Sequence, residues 1–253
     1  TDKNDFTSSV LIVYSNPQEK FDINCETMLQ IAKNTFNTKK LEIIDINKVS
    51  FLPSKRETSK QNSSNLDNNS NEFGNIKSAT NNKLQKLNDI GESEKNSYVK
   101  QVSDATLTIF IFPLIFGSCP GKLKIWLEII YNDALNVNND KNQIFSNGVM
   151  KGKISMVLCS SPYSEDEYGY KGKFILSIEE ILEHLTHGCL GLYGYSVLPS
   201  FFIYKIKPTK KKVSKKDFQE YNEATINDYT DRFKELNTYL NELENTELVH
   251  NYL

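Results

Sequence analysis

The sequence predicts an α/β chain, a parallel sheet wound on both faces by helices. Three observations predict it. Leu107-Thr108-Ile109-Phe110-Ile111-Phe112 is a β-branched and aromatic run with no polar face, as expected of a central strand covered on both sides. Strand, helix and strand follow one another before residue 47, which makes one right-handed parallel unit. Strand-like segments at 9–14, 40–46, 107–112, 154–158 and 197–204 then alternate with helical ones, the pattern of a doubly wound sheet.

Composition narrows the class. The chain has 253 residues, is 38% hydrophobic and 25% charged, and has a formal net charge of -2. Such a balance suits one domain with a large insertion. It offers no basic footprint for nucleic acid. No apolar segment approaches the roughly 20 residues needed to span a bilayer. Thr1 to Asp5 are polar, unlike the core of a signal peptide. Cys25, Cys119, Cys159 and Cys189 are scattered, so reduced thiols in a cytoplasmic protein are expected rather than a zinc site or disulfide framework.

Ser9 to Tyr14 reads as a buried strand, and Ser15 to Asp22 as a polar loop with turn chemistry. Met28, Leu29, Ile31, Ala32 and Phe36 recur at helical spacing over 23–36, with Asp22 a candidate N-cap. A loop between a strand and a helix N-terminus is a natural anion site, because free backbone N–H groups point into it. Lys40 to Ile46 is the second strand. From Pro53 to about Ser97, Ser, Asn, Lys, Asp and Glu dominate. Such a stretch has little to bury, and is expected to be a loosely attached, disordered insertion. Lys95 to Ser103 reads as a helix leading into the central strand.

That central strand should stop at Pro113, which lacks an N–H for the ladder. Leu114 to Cys119 form an apolar loop with Gly117 as its flexible point. Pro120 opens a helix marked by Leu123, Trp126, Leu127 and Ile130. A loop at the carboxyl end of a parallel strand is where open sheets bind ligands, and an apolar one suits a flat, greasy ligand. Asn132 to Gly152 is a polar connection. Ile154 to Leu158 is the fourth strand, and the turn-rich loop 159–173 that follows lies beside the loop after Phe112. Ile178 to Leu192 is helical by spacing. His184 and His187 lie three apart on it, without a Cys or carboxylate at zinc spacing. Lys205 to Lys216 is basic, and reads as a solvated turn on so neutral a chain. Lys216 to Leu243 closes the fold as a long amphipathic helix.

Phe112-Pro113-Leu114, then Pro120, then Leu123-Lys124-x-Trp126 resembles the F-P-L…P…L-K-x-W signature of flavodoxin-like NAD(P)H:quinone oxidoreductases. Gly194, Tyr195, Val197, Leu198 and Pro199 are similar to that family's G-F-x-V-L-x-P element. The resemblance implies a flavodoxin-like sheet in order 2-1-3-4-5 and two-electron, ping-pong hydride transfer from NADH or NADPH to a quinone through one bound flavin. FAD is the first expectation and FMN the alternative. A homodimer with the site between subunits is also implied.

By the same resemblance, Pro113, Leu114, Ile115, Phe116 and Gly117 lie along the flavin ring, with the backbone N–H groups of 115–117 at its edge. Tyr14, Lys20, Phe21, Asp22 and Asn24 stand at the cofactor-phosphate loop. Either Asn24 takes the phosphate role there, or Asp22 only caps the helix. Ser160 and Ser161 stand where the family has Thr-Thr-Gly-Gly. Tyr168 matches the family's Tyr, whereas no His follows it, and Lys171 or Lys173 is a candidate replacement. Tyr168 and Lys173 are therefore the candidate catalytic residues, with the alternative that the lysines only face water. Two other classes remain open, a flavin-binding regulatory subunit without turnover and a one-electron flavodoxin-type carrier.

Overall fold

In a computed structural model of the chain, the structure describes residues 8–17, 23–53, 88–135, 143–204 and 215–245. A parallel sheet forms the centre, from β1 (Ser9–Tyr14), β2 (Lys40–Asp45), β5 (Leu107–Pro113), β6 (Ile154–Ser160), β7 (Ser196–Val197) and β8 (Phe201–Ile203). Its order is β2-β1-β5-β6-β7, with β8 also paired to β6. This is the predicted 2-1-3-4-5 arrangement with the last strand divided.

β5 explains the centre. Its residues 107–111 pair with β1, and all seven pair with β6. Every one of them is buried. Because strand side chains alternate between faces, Phe110 and Phe112 enter one core and Leu107, Ile109 and Ile111 the other. The first core packs beneath α2 (Glu92–Asp104), α3 (Gly121–Leu127) and α4 (Ile178–Leu185). The second is closed by α1 (Ile23–Thr35) and α5 (Lys215–Asn245); Phe36, just past α1, meets Phe233 edge-on with ring centroids 5.7 Å apart.

Four boundaries differ from the sequence reading. The expected last strand, 197–204, is two short strands. β7 pairs with Ile154 and Ser155, and β8 with Leu158 to Ser160. Between them lies Pro199, which has no N–H to give the ladder. The expected helix over 178–192 is α-helical only to Leu185 and continues as a π-helical stretch, Thr186–Gly191, at Gly188 and Gly191. α3 likewise passes into a π-helical stretch, Glu128–Ala134, and Pro120 is its N-cap rather than its first residue. Residues 88–97, expected to belong to the insertion, are ordered: β4 (Asn88–Ile90) pairs antiparallel with β3 (Phe51–Pro53), and α2 begins at Glu92. Ile90 is fully buried there, an apolar anchor in a polar stretch. The remainder of the expected insertion, residues 54–87, lies outside the described residues.

The first core contains a buried phenol pair. Tyr131 and Tyr195 share a hydrogen bond at 2.9 Å, and Thr108 Oγ1 lies 3.5 Å from the Tyr195 oxygen. Burial pushes the Tyr195 phenol up to about 12 from an ordinary value of 10.0, against the opposing bonds to Thr108 and Tyr131. Tyr131 is also raised by burial. Since the unfolded chain ionises these phenols first, stability is intact below the ordinary phenol value and falls as pH rises above it. Chemical denaturation between pH 9 and 12 should show that loss, with a shallower slope for Tyr195→Phe.

Candidate active site at the carboxyl end of the sheet

Three loops leave the carboxyl ends of β1, β5 and β6 and are tied together by backbone bonds that continue the sheet. Ser15 N donates to Ile111 O at 2.9 Å, Leu114 N to Ser160 O at 2.8 Å, and Ser161 N to Ile203 O at 2.7 Å. Asn47 Nδ2 donates to Asn16 O at 3.0 Å and steadies the first loop. Cys25 Sγ lies 3.4 Å from Ser160 Oγ, which joins the first turn of α1 to the end of β6. The convergence predicted for these loops is therefore built by the sheet itself.

In the first loop, Tyr14 OH donates to Glu26 Oε2 at 3.2 Å. Burial is the largest cause raising its phenol, opposed by the bond to Asn16. Ser15 is fully buried, and its Oγ has no hydrogen-bond partner among the described residues. Sequence reasoning passed over Ser15; the turn chemistry of the loop was its only signal. Asn24 is half-buried in the first turn of α1. Lys20, Phe21 and Asp22 lie outside the described residues.

The second loop is a tight turn. Ile115 N donates to Ser118 O at 2.9 Å, and Ser118 N to Ile115 O at 3.0 Å. Phe116 and Gly117 both have positive φ, +49° and +71°, the sign pattern of a type I′ turn. Gly117 adopts it freely, whereas Phe116 is strained there. Of the three amides expected at the ring edge, that of Ile115 is taken by the turn. Those of Phe116 and Gly117 donate to no described residue. Pro113 and Leu114 are buried, Ile115 is half-buried, and Phe116 stands fully in solvent at 104% relative exposure.

The third loop holds Ser161, Tyr168 and Lys173. Ser161 Oγ accepts from Tyr163 N at 3.0 Å and shares a 2.7 Å bond with Tyr168 OH. The Tyr168 ring stacks on Phe174 with centroids 5.0 Å apart and leans on Tyr204 at 5.8 Å. Burial raises the Tyr168 phenol, with Ser161 opposing, so it stays protonated at neutral pH. The loop doubles back at Gly172, where a Cβ would lie 2.4 Å from Glu167 O. Lys173 Nζ sits 5.1 Å from the Tyr163 ring centroid and 5.5 Å from that of Phe174. That cation–π seat directs the ammonium onto the loop's own rings.

His184 comes to this end from α4. Its Nε2 lies 3.0 Å from Ser118 Oγ, and its Nδ1 lies 2.9 Å from Ile181 O. His187 instead stacks on Phe145 with centroids 5.3 Å apart. Among the described residues no cluster of three or more His, Cys, Asp or Glu could hold a metal, and no helix is long and apolar enough to cross a membrane.

Residues 8–227 match the family described by its flavodoxin-like fold, and the chain belongs to that family. It is 28% identical over 128 residues to a ribosyldihydronicotinamide dehydrogenase-like protein of Penicillium crustosum, covering 46% of this chain and 48% of that one. The chain spans about half the length of the curated relatives it matches. Among solved structures it resembles the general stress protein 14 of Treponema denticola in complex with FMN, at a TM-score of 0.56 and 14% identity, covering 90% of this chain and 99% of that one. It also resembles an NAD(P)H:quinone oxidoreductase from Methanothermobacter marburgensis, at a TM-score of 0.54 and 15% identity, covering 91% and 98%. These likenesses establish the fold.

The Ser161 network yields a stability test. Tyr168→Phe removes one bond and keeps the stacked ring, so it should cost about 0.5–1.5 kcal/mol. Ser161→Ala also strips the acceptor from the Tyr163 amide, and should cost more, about 1–3 kcal/mol. Urea unfolding of the two variants measures the difference.

Proposed function

We propose that the chain is a flavin-dependent NAD(P)H:quinone oxidoreductase. The observation that carries this reading is a tight turn at the carboxyl end of the sheet that sets two unpartnered amides beside an apolar wall. The amides of Phe116 and Gly117 and the side chains of Leu114 and Ile115 supply them. The names of the Penicillium relative and the Methanothermobacter neighbour support the same class. The FMN of the Treponema neighbour supports a flavin.

Tyr14, Lys20, Phe21, Asp22 and Asn24 are proposed for the phosphate side of the cofactor, and Pro113 to Gly117 with Ser160 and Ser161 for its ring. When bound, the flavin supplies acceptance of a hydride from reduced nicotinamide and its donation to a quinone. Leu114 and Ile115 exclude water from that transfer. The Phe116 and Gly117 amides present fixed donors to charge developing at the ring edge. Tyr168 offers a neutral phenol, kept protonated by burial. Lys173 contributes through the rings it covers, by holding the loop that carries Tyr168. One slot serves both substrates in turn, which is the ping-pong order. A homodimer would cover Phe116, Tyr170, Ile175 and Leu176, all strongly exposed.

The test is the absorbance spectrum of the purified protein, followed by anaerobic NADPH or NADH and then a quinone. The two visible bands of an oxidised flavin should bleach with the nicotinamide and return with the quinone. Chromatography of the heat-released cofactor then separates FAD from FMN. A protein that binds neither flavin overturns the reading. Tyr168→Phe should slow the bleaching by about 10²-fold, and an unchanged rate removes Tyr168 from the reaction.

A further inference from the structure

The turn at Phe116-Gly117 presents the two amides on which the proposed site depends, yet its first residue is poorly suited to its backbone. A β-carbon is disfavoured in the left-handed region, and such strain persists only where the surroundings enforce it. The Ile115–Ser118 bridge is one enforcing contact. The Ser118–His184 bond is the other, and it reaches outside the loop to α4.

The partners set the direction of that bond when the imidazole is neutral. Ile181 O can only accept, so His184 Nδ1 carries the proton in the 2.9 Å contact. In the neutral ring Nε2 is then an acceptor, and Ser118 OH donates to it across 3.0 Å. The histidine is held by the carbonyl of its own helix, and so presents a fixed acceptor to the loop. The loop is seated on the same helix, since a Cβ at Gly117 would lie 3.6 Å from Ile181 Cγ2.

We propose that His184 is a positioning residue: through Ser118 it latches the Phe116-Gly117 turn to α4 and keeps the Phe116 and Gly117 amides aimed at the ligand. The latch needs no ligand to exist. Its effect on flavin binding rests on the function proposed above.

The experiment therefore has two readouts. Hydrogen exchange of the Ile115 and Ser118 amides, followed by NMR without added flavin, reports the turn itself. Titration of the apoprotein with FMN and with FAD reports its use. His184→Ala and Ser118→Ala should each speed exchange at both amides and weaken flavin binding about three- to tenfold, the worth of one net hydrogen bond. The double variant should do no more than either single one. Phe116→Asn supplies a control that a merely structural histidine would not move. Asn-Gly is the preferred pair for this turn, so His184→Ala should cost markedly less flavin affinity in that background. His184→Gln, with a side-chain carbonyl as acceptor, should restore part of the protection. Unchanged exchange in His184→Ala overturns the latch whatever the flavin result. Faster exchange with unchanged flavin affinity overturns its role in aiming the amides. A parent protein that binds neither flavin defeats the proposed function, and exchange still decides the latch.

Discussion

The double-sided pairing of β5 is the constraint on which the site depends. A strand hydrogen-bonded along both edges and covered on both faces cannot shift register without moving its whole apolar set to the wrong face. With β5 fixed between β1 and β6, the position of Pro113 is fixed as well, and the ladder must end there. Its neighbours then carry the sheet's hydrogen bonds one step further, through Ser15 N, Leu114 N and Ser161 N. The three loops are thus set relative to one another by main-chain geometry, before any side chain of the site contributes.

The buried side of the first core is aromatic: Trp126 lies against Tyr98 at 6.0 Å and Tyr131 at 6.3 Å. The third loop repeats the device, with Tyr163 against Phe174, Phe174 against Tyr168, and Tyr168 against Tyr204 at the end of β8. Edge and stacked ring pairs hold orientation as well as area. A loop rich in turns thereby gains a small core of its own, and Lys173 caps it.

How much of this was legible follows from the range of each signal. β1, β2 and β5 were read to within a residue, because a continuous apolar run and a terminating proline are local. The chain segment that joins β7 to β8 was misread as one strand, although Pro199 was in view, because the same residue also fits the family element that suggested a strand. Residues 88–97 were assigned to the insertion by composition, which averages over Ile90 and so hides the one position that matters. The three-loop convergence was legible through strand order. The Ser118–His184 pair was not: the residues are 66 apart in sequence, and helical spacing relates His184 only to neighbours such as His187. Nor was the seat of Lys173, since a charge beside aromatic residues does not reveal which ring it will cover.

The charges at this end of the sheet have consequences for how the site works. Lys173 is seated on rings, and burial pushes the ionisation of the candidate Tyr168 further up from its ordinary value. Among the described residues, the polar groups left without a partner on the exposed turn are the Phe116 and Gly117 amides. Amides are fixed dipoles, effective only when they already point at the charge they are to meet, because they lack the reach with which a flexible lysine corrects its own aim. Among these described residues, precision of the backbone takes the place of mobile charge. That gives the strained Phe116 a physical reason. A relaxed loop would remove the strain, whereas a loop held by its bridge and fastened to α4 keeps the turn geometry that sets both amides.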